Sequence, residues 1–209
     1  MRYPDFYDAV PRITLRDPLA EFLGASEGGA IDYGYADVVK LAGHSCPTVA
    51  SAYWMTRLAL GALYGEALPE RGAVRAEFRD DRLAGVTGVI ANVVSMLTGA
   101  THDTGFKGIG GRFDRRQLLF FDAGVPLDIR FTRVDNGAQI DVAANLRQVP
   151  ADPDLPALMQ RCMAGLADAT EARRFGVLWQ KRVRRILLDH GDNPEVFIAR
   201  RVVRADQAN

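Results

Sequence analysis

The sequence predicts an α+β fold: a mixed sheet with helices on one face, in the order helix, strand, helix and three strands, followed by a C-terminal helical pair. Three observations predict it. From Pro47 to about Tyr64, Val49, Ala50, Tyr53, Trp54, Leu58 and the run 60–63 recur at helical spacing, as a core helix requires. Between Gln117 and Ala143, short apolar segments flank Asp135-Asn136-Gly137, and Asn-Gly is a strong hairpin signal. After Pro150-Ala151-Asp152-Pro153 the pattern changes to two amphipathic helices.

Residues 1–36 read as an arm. Asp17 is a suitable cap and Pro18 a suitable first residue for a short helix with Leu19, Phe22 and Leu23 on its apolar side, stopped by Gly24. Ser26-Glu27-Gly28-Gly29 is a turn, and a second short helix covers Tyr35 to Leu41, ending at Gly43. The central unit, 37–149, begins with that helix and the long one, which Gly65 ends. Val74, Ala76 and Phe78 then alternate with Arg75, Glu77 and Arg79, the period of a half-buried strand over Ala73 to Phe78. Asp80-Asp81-Arg82 is a charged loop. Val89, Ile90, Val93, Val94 and Leu97 restore helical spacing from Val86 to Leu97, with Gly99 as C-cap.

Residues 100–116 show no period, and long loops of this kind are often functional. Strands follow at Gln117 to Phe121, Val125 to Arg133 and Gln139 to Ala143. The extension 150–209 holds helices from Leu155 to Ala169 and from about Glu171 to Asp189. The second carries Arg173, Arg174, Lys181, Arg182, Arg184 and Arg185 opposite its apolar face, read as a solvated or carboxylate-paired surface.

Composition bounds the function. With 209 residues, 48% hydrophobic and 25% charged, the chain is an ordinary globular one with room for a core. Its formal net charge of zero argues against nucleic acid as a partner. No stretch approaches the roughly 18 apolar residues of a membrane span, so the expectation is a cytoplasmic protein with no membrane partner. Cys46 and Cys162 are the two cysteines, expected to be reduced, and the absence of CxxC excludes a zinc ribbon or dithiol motif.

The chemistry-bearing stretch is Gly43-His44-Ser45-Cys46-Pro47. Proline suits the first helical position, which makes Cys46 the N-cap of the long helix. A sulfur there lies at the positive end of the helix macrodipole, beside unpaired backbone N–H groups, the setting that holds a thiolate. His44 and Cys46 are therefore candidate metal ligands, or a catalytic base and nucleophile. The alternative is a buried structural cysteine beside a backbone-bonded histidine. If the long helix runs antiparallel to the strand after it, its N-terminus lies near Asp80, Asp81 and Thr87, and the second helix starts there too. Asp81 and His102 are the candidate further ligands. Lys107, within Gly105-Phe106-Lys107-Gly108-Ile109-Gly110-Gly111, is a candidate anion contact, although that run lacks the phosphate-loop pattern and also reads as a lid or a place of close backbone contact.

Ala42-Gly43-His44-Ser45-Cys46-Pro47, a long apolar helix, a strand, and a second helix ending Leu97-Thr98-Gly99-Ala100-Thr101 together resemble the E-subunit family of formylmethanofuran dehydrogenase over residues 37 to 145. Members share a GHxCP start and a TGCT-like helix end. The resemblance implies a fold similar to the catalytic domain of glyceraldehyde-3-phosphate dehydrogenase, a homodimer, and a transition metal, commonly zinc, at His44 and Cys46. Val89 and Asn92 stand where members tend to carry a cysteine and an aspartate, Ala100 stands at the cysteine of TGCT, and the C-terminal zinc ribbon of many members is replaced by helices. Asn92 is thereby a candidate ligand contact. The resemblance with these departures implies an open site of His44, Cys46, solvent and one further ligand, binding or transforming a small molecule. Haem ligation through Cys46, metal-free thiol chemistry and a non-catalytic accessory subunit are the alternatives.

Overall fold

A computed structural model describes residues 2–203. The arm contributes β1 (Ile13–Arg16), α1 (Pro18–Phe22) and β2 (Ala30–Tyr33), with β1 and β2 pairing as a two-stranded antiparallel ribbon. Then come α2 (Tyr35–Ala42), α3 (Pro47–Tyr64), β3 (Val74–Phe78), α4 (Thr87–Thr98), β4 (Leu119–Phe120), β5 (Ile129–Arg133) and β6 (Gln139–Ala144). The chain finishes with α5 (Leu155–Met163), α6 (Ala169–Arg184) and β7 (Phe197–Arg201). The class is α+β, as expected. The sheet has the order β4-β3-β5-β6-β7, with β4 parallel to β3 and the remaining pairs antiparallel.

The alternation in the strands decides which face meets the helices. Val74, Ala76, Phe78, Ile129, Phe131, Ile140 and Val142 all join one core with the buried residues of α3 and α4. Register aligns them in rows: Ala76 lies opposite Phe131, which lies opposite Ile140. The alternate positions carry charge instead. Glu77 faces Arg130, Arg130 faces Asp141, and Asp141 faces Arg200 across β3, β5, β6 and β7. Arg130 grips Asp141 with two bonds, Nε–Oδ1 at 2.7 Å and Nη2–Oδ2 at 2.8 Å.

The long helix is antiparallel to β3, as the sequence suggested. Arg133, paired with the first residue of β3, donates to Leu63 O at 3.2 Å, and Arg201 donates to Ala62 O, so the C-terminal end of α3 lies over the start of β3. Trp54, in mid-helix, sends its indole N–H to Gly191 O at 2.6 Å.

The C-terminal expectation needs correction. Two helices do form, but α5 stops at Met163, with Gly165 left-handed just beyond. Helix α6 runs through a π-helical turn, Arg185–Asp189, and the chain then returns to the sheet as β7, antiparallel to β6. The segment after 150 therefore supplies a strand of the main sheet, not a helical pair alone. Two strands are also shorter than the pattern suggested. Gln117 and Asp122 both have positive φ, 56° and 54°, which brackets β4, and β5 begins at Ile129.

Candidate functional site

The 43–47 stretch forms as its residues dictate. Gly43 takes the left-handed conformation, φ 74°, that ends α2, and its N–H bonds Val39 O at 2.9 Å. Cys46 is the extended N-cap of α3, its sulfur accepting the Val49 N–H at 3.4 Å, with Pro47 as the first helical residue. His44 is exposed and Cys46 half-buried. The His44 Nδ1 lies 2.9 Å from Ala42 O. Because a carbonyl oxygen can only accept, Nδ1 carries the proton, and Nε2 of the neutral ring is left with its lone pair outward.

The residue between them faces the other way. Ser45 is buried, and its carbonyl accepts from Trp179 Nε1 at 2.9 Å and Gln180 Nε2 at 3.2 Å, both on α6. Its hydroxyl, 3.0 Å from the Tyr35 hydroxyl, donates to Gln180 Oε1 at 3.0 Å, where the Tyr7 hydroxyl also bonds, at 3.4 Å. Burial pushes the Tyr35 hydroxyl well above its ordinary pKa, offset only in part by the Ser45 bond, so it stays a proton donor. The stretch thus has an inner side that fastens α6 to the core and an outer side that presents an imidazole and a sulfur.

The other sequence candidates lie elsewhere. Asp81 is exposed and closes a turn by accepting the Leu83 N–H at 2.8 Å. A cavity of about 270 Å3 at the start of α4 is lined by Asp80, Thr87 and Asp128, and neither His44 nor Cys46 borders it. His102 sits beside Phe120 and Phe121 at the β4 edge, its Nδ1 3.1 Å from Asp103 Oδ1; that bond holds the Asp103 carboxyl below its usual pKa. Lys107 is exposed on a loop where close backbone approach explains several glycines: a Cβ at Gly108 would overlap Arg112 O, and one at Gly105 would lie 2.5 Å from Thr101 Oγ1. Asn92 is exposed on α4 and borders a cavity. Among the described residues, no three His, Cys, Asp or Glu side chains gather at metal-binding separation.

A second charged centre was not legible in the sequence. Asp17, 3% exposed, caps α1 by accepting from Leu19 N at 2.9 Å and Ala20 N at 3.3 Å. The same carboxylate binds Arg71 Nη1 through Oδ2 at 2.9 Å and Arg115 Nη2 through Oδ1 at 2.6 Å. Burial alone would raise its pKa, but the Arg71 bond, the Arg115 charge and the two backbone N–H groups outweigh burial and leave it below the ordinary 3.8. The cap was visible from Asp17-Pro18. The arginines were not, because they lie 54 and 98 residues away and follow no period.

Fold and site together define an α+β protein with a helix-capping thiol beside an outward imidazole, and a buried carboxylate shared by two arginines. No family model and no curated protein matches the chain. Among solved structures it is similar to an FmdE-like protein of the tungsten formylmethanofuran dehydrogenase type from Syntrophus aciditrophicus, with 16% identity and a TM-score of 0.44 over 83% of this chain and 75% of that one. Among the described residues no helix is long and apolar enough to cross a membrane.

Proposed function

We propose that the chain binds a transition metal, zinc by the chemistry of its donors, at a solvent-open site formed by His44 Nε2 and Cys46 Sγ, and takes a small molecule there. The observation that carries this reading is the 2.9 Å bond from His44 Nδ1 to Ala42 O, which fixes the tautomer and leaves Nε2 free to ligate, as a backbone carbonyl does behind many metal-bound histidines. Imidazole and thiolate together suit zinc. The donors fit in kind and fall short in number, since zinc sites use three or four protein ligands. The missing positions fall to water, to the small molecule, or to the same pair on a second copy, so the reading includes a cytoplasmic homodimer. Kinship with the E-subunit family of formylmethanofuran dehydrogenase and with the glyceraldehyde-3-phosphate dehydrogenase catalytic domain belongs to this proposal. Its support is the GHxCP stretch at the start of a long helix and the helix-strand-helix-three-strand order.

Elemental analysis and native mass spectrometry of the purified chain test it. One zinc per chain, or one per two chains, lost in both His44→Ala and Cys46→Ser, is the expected result; stoichiometric zinc in neither form of the wild type would sink it. A second reading has its own observation: Ser45, gripped by Trp179, Gln180 and Tyr35, makes the stretch a fastening for α6 in an accessory protein with no turnover. A metal-free wild type, with Cys46→Ser unchanged in every property but stability, is the outcome that favours it.

A further inference from the structure

Arg115 is 6% exposed, yet its Nε and Nη1 atoms, both buried, have no hydrogen-bond partner. Of its five N–H groups, Nη2 is engaged, by Asp17. Its neighbour Arg71 is fully committed: Nη1 binds Asp17, and Nε and Nη2 donate to Met96 O at 3.2 and 3.0 Å, capping the last turn of α4. Two guanidinium groups share one carboxylate, which leaves one positive charge in excess, and the unspent donors belong to Arg115. Buried polar groups are nearly always paired in folded proteins, so a buried guanidinium with three idle N–H groups calls for an acceptor.

Arg115 also forms part of the wall between two cavities. Glycine stands against Nη1 on each side. A Cβ at Gly72, on the first cavity, would overlap the guanidinium, and one at Gly99, on the second, would lie 3.1 Å from Nη1. The cavities differ in charge. The first, about 310 Å3, is bordered by Glu70 and Asp114, which repel an anion. The second, about 470 Å3, has no acidic residue in its lining. Leu19, Leu41, Met96 and Phe106 supply its apolar walls, and Asn92, Ser95 and Thr101 its neutral polar groups. Its volume falls within the range of small-molecule pockets, which pair an apolar lining with a few polar groups that fix orientation.

We infer that the cavity between α1, α2, α4 and the 99–115 loop binds a small monocarboxylate with an apolar body, its carboxylate paired with Arg115 beside Gly99 and its body against Leu41, Met96 and Phe106. The single excess charge suits a monoanion, and the apolar wall suits a ligand larger than a free inorganic ion. This site is separate from the His44/Cys46 pair and stands whether or not metal binds there.

Thermal-shift and calorimetric titration of the full chain with 3-phenylpropionate and octanoate, each beside its amide, test the inference. The acids are expected to bind saturably, and the amides about tenfold more weakly or worse, because the amide forfeits the charge pairing. Arg115→Met is expected to reduce the affinity for the acid by a similar factor while leaving the weak amide binding in place. Should that variant fail to fold, Asn92→Trp, an exposed change that fills the cavity mouth, decides the matter. Its loss of acid binding supports the site, and undiminished binding overturns it. Equal binding of acid and amide, no saturation by either acid up to about 10 mM, or displacement by inorganic phosphate at the acid's own concentration would also overturn the assignment.

Discussion

Replacing Asp17 by Asn removes one negative charge from between two guanidinium groups and changes little else. Asparagine caps helices as well as aspartate does, so the bonds to Leu19 N and Ala20 N survive and drop out of the comparison. What remains is the electrostatic loss. Removing one partner of a buried pair costs about 3–5 kcal/mol, because the other charge is left uncompensated. Arg115 is almost wholly buried, but the Arg71 side chain is 22% exposed and keeps its bonds to Met96 O, which places the expected cost near the lower bound, about 3 kcal/mol. For a chain of this length that corresponds to a Tm lowered by about 6–12 °C. Asp17→Ala forfeits the cap as well and is expected to cost about 1 kcal/mol more. Urea unfolding followed by Trp54 and Trp179 fluorescence measures both. The pH dependence carries the same signature. A carboxyl held below 3.8 contributes stability that is present above that value and is lost as pH falls through the lower folded-state value, so the gap between wild type and Asp17→Asn is expected to close in acid. An Asp17→Asn variant within about 0.5 kcal/mol of wild type at neutral pH, the range of ordinary surface changes, would refute the reasoning.

Three further outcomes are expected. Gly191→Ala places a Cβ into the Trp54 indole and 2.8 Å from Leu187 O, so it should cost about 1–3 kcal/mol and alter the near-UV spectrum of Trp54; an unchanged spectrum and midpoint would contradict the packing. Tyr35→Phe removes the hydroxyl beside Ser45 while Gln180 still accepts from the serine, and should cost about 1 kcal/mol in urea unfolding. Ending the chain before Phe197 strips β6 of its partner and opens a strand edge, so the product should aggregate. A monomer with native circular dichroism on gel filtration would show that β7 is dispensable.

The features legible in the sequence are those written in local chemistry. Pro47 and Gly65 bracket α3 where the pattern placed it, Cys46 caps it, and Gly43 and Gly99 take the left-handed conformation after α2 and α4. The hairpin at Asn136-Gly137 forms, with Asn136 Oδ1 accepting the Ala138 N–H at 2.9 Å. Strand β7 escaped because Val196-Phe197-Ile198 is too short a run to declare a period, and β6, which gives it meaning, lies more than fifty residues earlier. The bonds of Arg115 to Asp17 and of Trp179 to Ser45 escaped for the same reason. A side chain reaching across 98 or 134 residues leaves no trace in the spacing of its neighbours. At the candidate site, the cap and the imidazole could be read from five consecutive residues. Whether distant carboxylates or histidines join them depends on how loops close, and the loops hold Asp81 and His102 in other company.

The row Glu77, Arg130, Asp141 and Arg200 bears on how the strands find their alignment during folding. An apolar face distinguishes only the parity of a register: a slip by one residue turns every side chain over, whereas a slip by two leaves inside and outside unchanged. Alternating charges across four strands resolve the remaining ambiguity. A two-residue slip between β5 and β6 would set Arg130 opposite Gln139 or Ala143 in place of Asp141, and strand the half-buried guanidinium without its carboxylate. The core face thus excludes the odd misalignments and the charged face the even ones, and the two faces together leave the sheet one phase in which to zip.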